Sequence, residues 1–175
     1  MGVTEKLAQF LVDSGYDSLP EEAVTATKRA VLDTLAVTIA GWQEEASTAI
    51  TSYVRELGTV SEAGVVASGF RAAASEAALA NGTLAHALDY DDVSTSMLGH
   101  PSAPLLPAVL ALAEKTGASG RDVIAAFVLG FEVECKLGSA IGAGHYARGW
   151  HPTATLGTLG AAAACAKLNR LDVAA

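Results

Sequence analysis

Apolar residues recur at helical spacing along nearly the whole chain. Leu7, Phe10 and Leu11 predict a short first helix over Val3–Val12, ended by Asp13-Ser14-Gly15. Ser18-Leu19-Pro20-Glu21-Glu22 combines a capping residue, a proline and two carboxylates, which is a helix start. The helix that follows is expected to run to about Ala40, to bury Val24, Val31, Leu32, Leu35 and Ile39, and to stop at Gly41. Ala46–Leu57 reads as a more polar third helix, and Val65-Val66 as a short extended piece. Ala72–Ala87 is rich in Ala and Leu and predicts a helix in which Gly82 marks close packing, a kink or a break. Leu105, Leu106, Val109, Leu110 and Leu112 give Ser102–Lys115 a broad apolar face. Ser119-Gly120-Arg121-Asp122 opens a further helix to about Ser139, with Val123, Phe127, Val128 and Phe131 inside. Pro152–Leu168 is the last, rich in Ala and Gly. The pattern predicts an all-α, multi-helix fold of about seven helices, with at most two short strands near Val65.

Composition narrows the function. Hydrophobic residues make up 51% and charged residues 17% of the 175, enough apolar material for one ordered domain. The net charge of −8 argues against nucleic acid and anionic membrane surfaces as partners, so an anionic substrate must be held by local groups. Cys135 and Cys165 sit in apolar helical runs and read as free thiols in a reducing compartment. The first residues lack a basic segment followed by an apolar one, and the longest apolar runs are too short to span a bilayer. The expected location is cytoplasmic.

Chemistry concentrates between the helices ending near Ala87 and starting near Ser102. His86-Ala87-Leu88-Asp89-Tyr90-Asp91-Asp92 and Gly99-His100-Pro101-Ser102 put two of the four histidines and three aspartates within fifteen residues or so. A carboxylate beside a histidine orients the ring and sets its tautomer, which is what proton transfer requires. His86 and Asp89, and Asp89 and Asp92, are three apart and would share a helix face. For Asp91 and Asp92 a solvated turn remains open. A second His-Pro pair, His151-Pro152, echoes the first. Proline holds its predecessor in extended conformations, so His100 and His151 are expected at helix N-termini, where unpaired N–H groups favour anions and disfavour imidazolium. His145 lies in a Gly-rich loop, Gly142–Gly149, expected near the site.

Metal-site patterns are weak. Asp89-Tyr90-Asp91 starts like a calcium loop, but Val93, Ser94 and His100 stand at its fifth, sixth and last positions. There is no zinc-type His/Cys spacing and no phosphate-binding Gly-rich loop. Only a non-standard set from His86, Asp89 and His100 stays open, and no metal is expected.

Asn81-Gly82-Thr83-Leu84-Ala85-His86-Ala87-Leu88-Asp89-Tyr90-Asp91-Asp92 with His100-Pro101-Ser102, and His145-Tyr146-Ala147-Arg148-Gly149-Trp150-His151-Pro152-Thr153-Ala154-Thr155-Leu156-Gly157, resemble the signatures of the MmgE/PrpD family. Leu19–Gly41 is similar to that family's N-terminal helix. The family includes 2-methylcitrate dehydratase, cis-aconitate decarboxylase and iminodisuccinate epimerase. The resemblance implies a helical domain joined to a smaller α+β lid, usually in a homodimer, that moves protons, water or CO₂ at carbons beside carboxylates without cofactor. It implies that Asp89, His100 and His151 match active-site positions. Where the decarboxylase has a threonine after the Asp-Asp pair, this chain has Val93, and one extra residue before His100, a departure that favours the dehydratase or another relative. The lid and the lysines that hold substrate carboxylates would lie beyond Ala175.

The resulting expectation is that residues 1–175 form the N-terminal portion of the helical domain of a cofactor-independent lyase. Its substrate is a small di- or tricarboxylate. Asp89, His100 and His151 are the candidate catalytic groups and His86, Asp92 and His145 the candidate substrate contacts. The three catalytic groups are expected to converge on one cleft. The resemblance implies a homodimer, and the apolar circumference of the helices at 102–115 and 152–168 predicts self-association. A non-catalytic interaction module and a metal-dependent hydrolase are the rival classes.

Overall fold

The computed structural model describes residues 2–174. Eight helices are present among them: α1 (Val3–Asp13), α2 (Glu21–Ala40), α3 (Glu45–Leu57), α4 (Ala74–His86), α5 (Ser102–Thr116), α6 (Gly120–Ile141), α7 (Gly144–Ala147) and α8 (Pro152–Leu168). One hairpin, β1 (Ala63–Val65) and β2 (Phe70–Ala72), pairs antiparallel with Ala63 opposite Ala72 and Val65 opposite Phe70. The fold is therefore all-α, as the periodicity predicts. The eighth helix is the single turn α7, where Gly142–Gly149 reads as loop.

α5 is the central element. Its Leu105, Leu106, Pro107, Val109, Ala111 and Ala113 are buried, and it packs on α4, α6, α8 and β1. A helix apolar on most sides needs neighbours on most sides, and α5 finds them within this chain. α8 does so only partly. It packs on α6 and α5, but Ala154, Thr158, Leu159 and Ala162 stay exposed. Two apolar clusters flank α5. One, Val54, Ala63, Val65, Ala72, Ala77, Ala80 and Ala111, lies under the hairpin; the other joins Leu105, Leu106 and Val109 to Ala126, Phe127 and Ala164. Asn81 fixes the hairpin to α4: its Oδ1 accepts from Val66 N at 2.8 Å and its Nδ2 donates to Gly64 O at 2.9 Å.

The start signals act as the chain predicts in two cases. Ser119 caps α6 and forms a reciprocal box with Asp122, and Pro152 is the first residue of α8. One expectation is corrected. α2 does not bury Leu32 or Ile39, which are 71% and 59% exposed. Its buried face is Thr27, Thr34 and Thr38, and the hydroxyls of the last two donate to the carbonyls four residues back. That internal bond lets a threonine enter the core without an orphaned polar group. Gly41 is the C-cap that ends α2 after Ala40, as expected, in a right-handed conformation with φ of −75°. It is small because α4 crosses there, and a Cβ would strike the Leu84 carbonyl. Gly82 answers to the close-packing alternative: α4 is continuous, and Gly82 faces the Ala103 carbonyl of α5.

No helix among the described residues is long and apolar enough to cross a membrane.

Candidate active site

The chain between α4 and α5 is irregular but anchored on three helices. Asp92 accepts from Ser102 N at 3.1 Å and from Ser102 Oγ at 2.6 Å, so it caps the start of α5. Ser94 N donates to Gly99 O at 2.9 Å and closes a small loop. Met97, buried within that loop, lies over Gly138 of α6, and Ser94 Oγ meets Cys135 Sγ of α6 at 3.4 Å. His100 N donates to Thr153 Oγ1 of α8 at 3.0 Å. A loop with such anchors holds its side chains in fixed directions, which proton transfer needs.

Those directions bring four groups together. α4 ends at His86, and the chain turns back through Asp89, whose φ of +55° is a left-handed conformation that Asp adopts more readily than most residues. His86 Nδ1 lies 2.8 Å from Asp91 Oδ1 and donates to it in the Nδ1–H tautomer, leaving Nε2 as an acceptor. The His100 ring stands between two carboxylates, with Nε2 at 3.4 Å from Asp89 Oδ1 and Nδ1 at 3.3 Å from Asp91 Oδ2. The two imidazoles are 4.7 Å apart between centroids, tilted by 60°. Asp91 is the hub: its side chain is 0% exposed, that of His100 18% and that of Asp89 76%. The cluster thus grades from a buried carboxylate to a solvent-facing one across one imidazole. Each of the four offers one ligand atom within 4.8 Å of the others, so the set could also hold a metal ion.

The second His-Pro pair sits beside the first but on another element. His151 is the N-cap of α8 with extended φ and ψ of −95° and 112°, as a residue before proline should be. Thr153, two residues on, is the group that binds His100 N, so the first turn of α8 is fastened to the cluster. His151 itself is exposed and faces the Tyr146 ring at 6.0 Å. His145 is turned to α8, with Nε2 at 2.8 Å from Thr155 Oγ1 and its ring stacked on Trp150 at 6.2 Å. The structure therefore joins His86, Asp89 and His100 directly. It sets His151 and His145 along the neighbouring helix start and commits Asp92 to holding α5.

Comparison with known proteins decides the kinship. Residues 5–175 match the MmgE/PrpD N-terminal domain. The chain belongs to the MmgE/PrpD family. Its relatives include the cis-aconitate decarboxylase-like protein oryM of Aspergillus oryzae, 33% identical over 97% of this chain and 37% of that protein. The cis-aconitate decarboxylases of Mus musculus and Homo sapiens are 32% and 31% identical, over 98% and 97% of this chain and 36% of each enzyme. The chain spans little more than a third of the length of these relatives.

In this MmgE/PrpD domain Asp91 is the group that sequence reasoning passed over. Its separation of five from His86 matches no helix face, and it becomes a partner only because α4 stops at His86 and the chain reverses. The adjacent Asp91-Asp92 pair divides its work, one carboxylate facing the histidines and the other α5. α5's N-terminus is thereby filled by its own chain, whereas no side chain caps α8. Positive helix-end character is left at α8, next to His100.

Three further titratable groups lie on α6 and α8. Glu134 of α6 is fully buried against Gly160 of α8, and neither carboxyl oxygen has a hydrogen-bond partner. Burial, and secondarily the charge of Asp92, push its carboxyl up to about 9, so it is neutral at pH 7. Burial also raises the thiols of Cys135 and Cys165, against a weaker opposing hydrogen bond from Ser94 to Cys135; neither is an activated nucleophile. A cavity of about 750 Å³ lies at the other end of α8, lined by Leu11, Ala125, Leu168 and Val173, and includes no histidine. The four-group cluster opens instead to solvent through Asp89.

Proposed function

We propose that this domain supplies the acid–base groups of a lyase acting on a small tricarboxylate. The observation that carries the reading is the placement of His100. It is held between the carboxylates of Asp89 and Asp91, with the uncapped first turn of α8 fastened to its backbone by Thr153. A histidine so placed exchanges a proton with a substrate on its open side while the buried Asp91 steadies the ring. Elimination beside a carboxylate needs one group to remove a proton from carbon and another to protonate the departing oxygen. Asp89 or His151 takes the first role and His100 the second, or His100 binds the developing oxyanion. His86, linked to the same Asp91, and His145, on the α8 side, contact substrate carboxylates; Asp92 acts through α5. The chemistry proceeds by proton transfer without an organic cofactor or a metal.

Tricarboxylate as the class of substrate is supported by the relatives, all named for cis-aconitate. Dehydration of a 2-methylcitrate-like hydroxy acid is favoured as the reaction, because Val93 offers no hydroxyl where the decarboxylases are expected to carry threonine. Decarboxylation of cis-aconitate is the second reading, favoured by the relatives' names. The remaining length of those relatives, or a second copy of this chain, covers the uncharged outer stripe of α8 at Ala154, Thr158, Leu159 and Ala162 and completes the substrate site.

The test joins this chain to the segment by which a relative exceeds it, and assays both that product and the 175 residues alone. Loss of water from 2-methylcitrate or release of CO₂ from cis-aconitate by the joined protein, with negligible turnover by the short chain, is the expected result, and the product formed chooses between the reactions. A folded joined protein inactive on both would leave the interaction-module reading. Sedimentation of the short chain at several concentrations reads self-association directly.

A further inference from the structure

We infer that His86, Asp89, Asp91 and His100 form a binding site for one divalent transition-metal cation of the zinc class, and that such a cation inhibits. One ligand atom from each residue lies within 4.8 Å of the other three. Bonds of about 2.0–2.2 Å to imidazole nitrogen and carboxylate oxygen place tetrahedral neighbours roughly 3.3 Å apart. His100 Nε2 and Asp89 Oδ1 are 3.4 Å apart, and His86 Nδ1 and Asp91 Oδ1 are 2.8 Å apart. The four atoms spread over as much as 4.8 Å, so movement of about an ångström is needed to surround an ion. The residue best able to supply it is Asp89, on an exposed turn, while Asp91 is fixed by burial.

The donor set selects the class of cation. Two imidazoles with two carboxylates suit zinc, cobalt or nickel; calcium and magnesium prefer oxygen donors throughout and more of them. A second observation comes from His100. Its Nδ1 is enclosed and makes no hydrogen bond, although Asp91 Oδ2 is 3.3 Å away. Two carboxylates that approach one imidazole, with a nitrogen left unsatisfied, form a cluster short of positive charge. A divalent cation supplies that charge.

The binding claim stands apart from the proposed reaction, since it needs only these four side chains. Inhibition rests on that reaction, because lone pairs engaged by a metal cannot accept a substrate proton. The fold already contains the positioning: His86 at the end of α4, Asp89 in its left-handed turn, and His100 tied to α8.

Calorimetric titration of the purified 175-residue chain with Zn²⁺, and with Co²⁺ as a spectroscopic probe, tests it. One equivalent of Zn²⁺ is expected to bind, and Co²⁺ to develop visible absorption of a four- or five-coordinate site. Asp89→Asn keeps a residue type that tolerates the left-handed turn, so it should fold; it is expected to weaken Zn²⁺ by about tenfold or more. His86→Ala should act likewise, and Glu132→Gln, on the exposed face of α6, should leave binding unchanged. Circular dichroism of each variant confirms folding. Absence of one-to-one binding, or binding that Asp89→Asn and His86→Ala both leave intact, overturns the site. Binding without inhibition of an active joined enzyme overturns only the second half, and an inactive joined enzyme that still binds Zn²⁺ bears on the proposed reaction alone.

Discussion

Asp91 and Glu134 are both carboxyl side chains with no solvent exposure, yet one joins a cluster of histidines and carboxylates and the other is an isolated core residue. Asp91 meets two imidazoles. Glu134 meets the small-residue seam of α6 and α8, where Gly160 makes room for it and no donor reaches it. Burial by itself therefore does not make a site. What separates them is the supply of hydrogen-bond donors from neighbouring elements. At Asp91 the donor is His86 Nδ1, at the end of α4 where the chain folds back, and that bond turns burial into a means of fixing the His86 ring. At Glu134 the same burial is satisfied only by keeping the proton.

The largest effect should come from the cluster side. In a complete, active enzyme, His100→Ala is expected to cost roughly 10²–10⁴-fold in rate, and His151→Ala a similar factor if it is the base. A near wild-type rate for His100→Ala, measured under saturating substrate, would remove the acid–base reading of the cluster.

Glu134 tests the other side through pH. Its carboxyl is raised to about 9 in the fold from an ordinary 4.5. The folded protein thus holds a proton that the unfolded chain releases, and stability is greatest below about pH 4.5 for this group and declines as pH rises toward 9. The loss at pH 7 is on the order of 3 kcal/mol relative to acid conditions. Glu134→Gln cannot ionise and should flatten that slope; denaturant titrations at several pH values between 5 and 9 measure it. Equal slopes for the two proteins would mean that Glu134 ionises freely and that the contrast with Asp91 fails.

Gly160→Ala probes the same seam sterically. Its methyl would lie 2.5 Å from Glu134 Oε2 and 3.1 Å from Glu134 Cβ, and overpacking of this kind costs about 1–3 kcal/mol. Pairing it with Glu134→Ala should recover part of the loss in a double-mutant cycle.

Asp92→Ala should be a milder change on the cluster side, about 0.5–2 kcal/mol from loss of the α5 cap, read by thermal melting. The Arg71–Glu114 pair, 2.8 Å long but nearly half-exposed at both ends, sets the lower bound: Glu114→Gln should cost no more than about 1 kcal/mol and less at high salt.

Much of the fold was legible before any coordinates. Pro152 starting α8 and Ser119 with Asp122 starting α6 are local effects of backbone geometry and capping, and they act within one turn of the residue concerned. The crowding of His86, Asp89 and His100 was legible for a different reason: chemistry-bearing residues stood together between two apolar helices. Asp91 was not singled out, because its partnership depends on where α4 stops and how the chain reverses. Leu32 and Ile39 misled because apolar character states what a residue tolerates, while neighbouring helices decide which face is covered. Thr34 and Thr38 could be buried since their hydroxyls bond within α2 itself.

What this chain's sequence determined by itself was therefore what is local: helix starts and ends, the all-α class, and the pool of titratable groups. The tertiary structure decided the pairings. Asp91 faces the histidines and Asp92 faces α5, Thr153 accepts from His100 N, and Glu134 is sealed by Gly160. Caps and prolines act through bonds to the next few residues, whereas burial and partnership arise only when segments far apart in sequence exclude water from the same place.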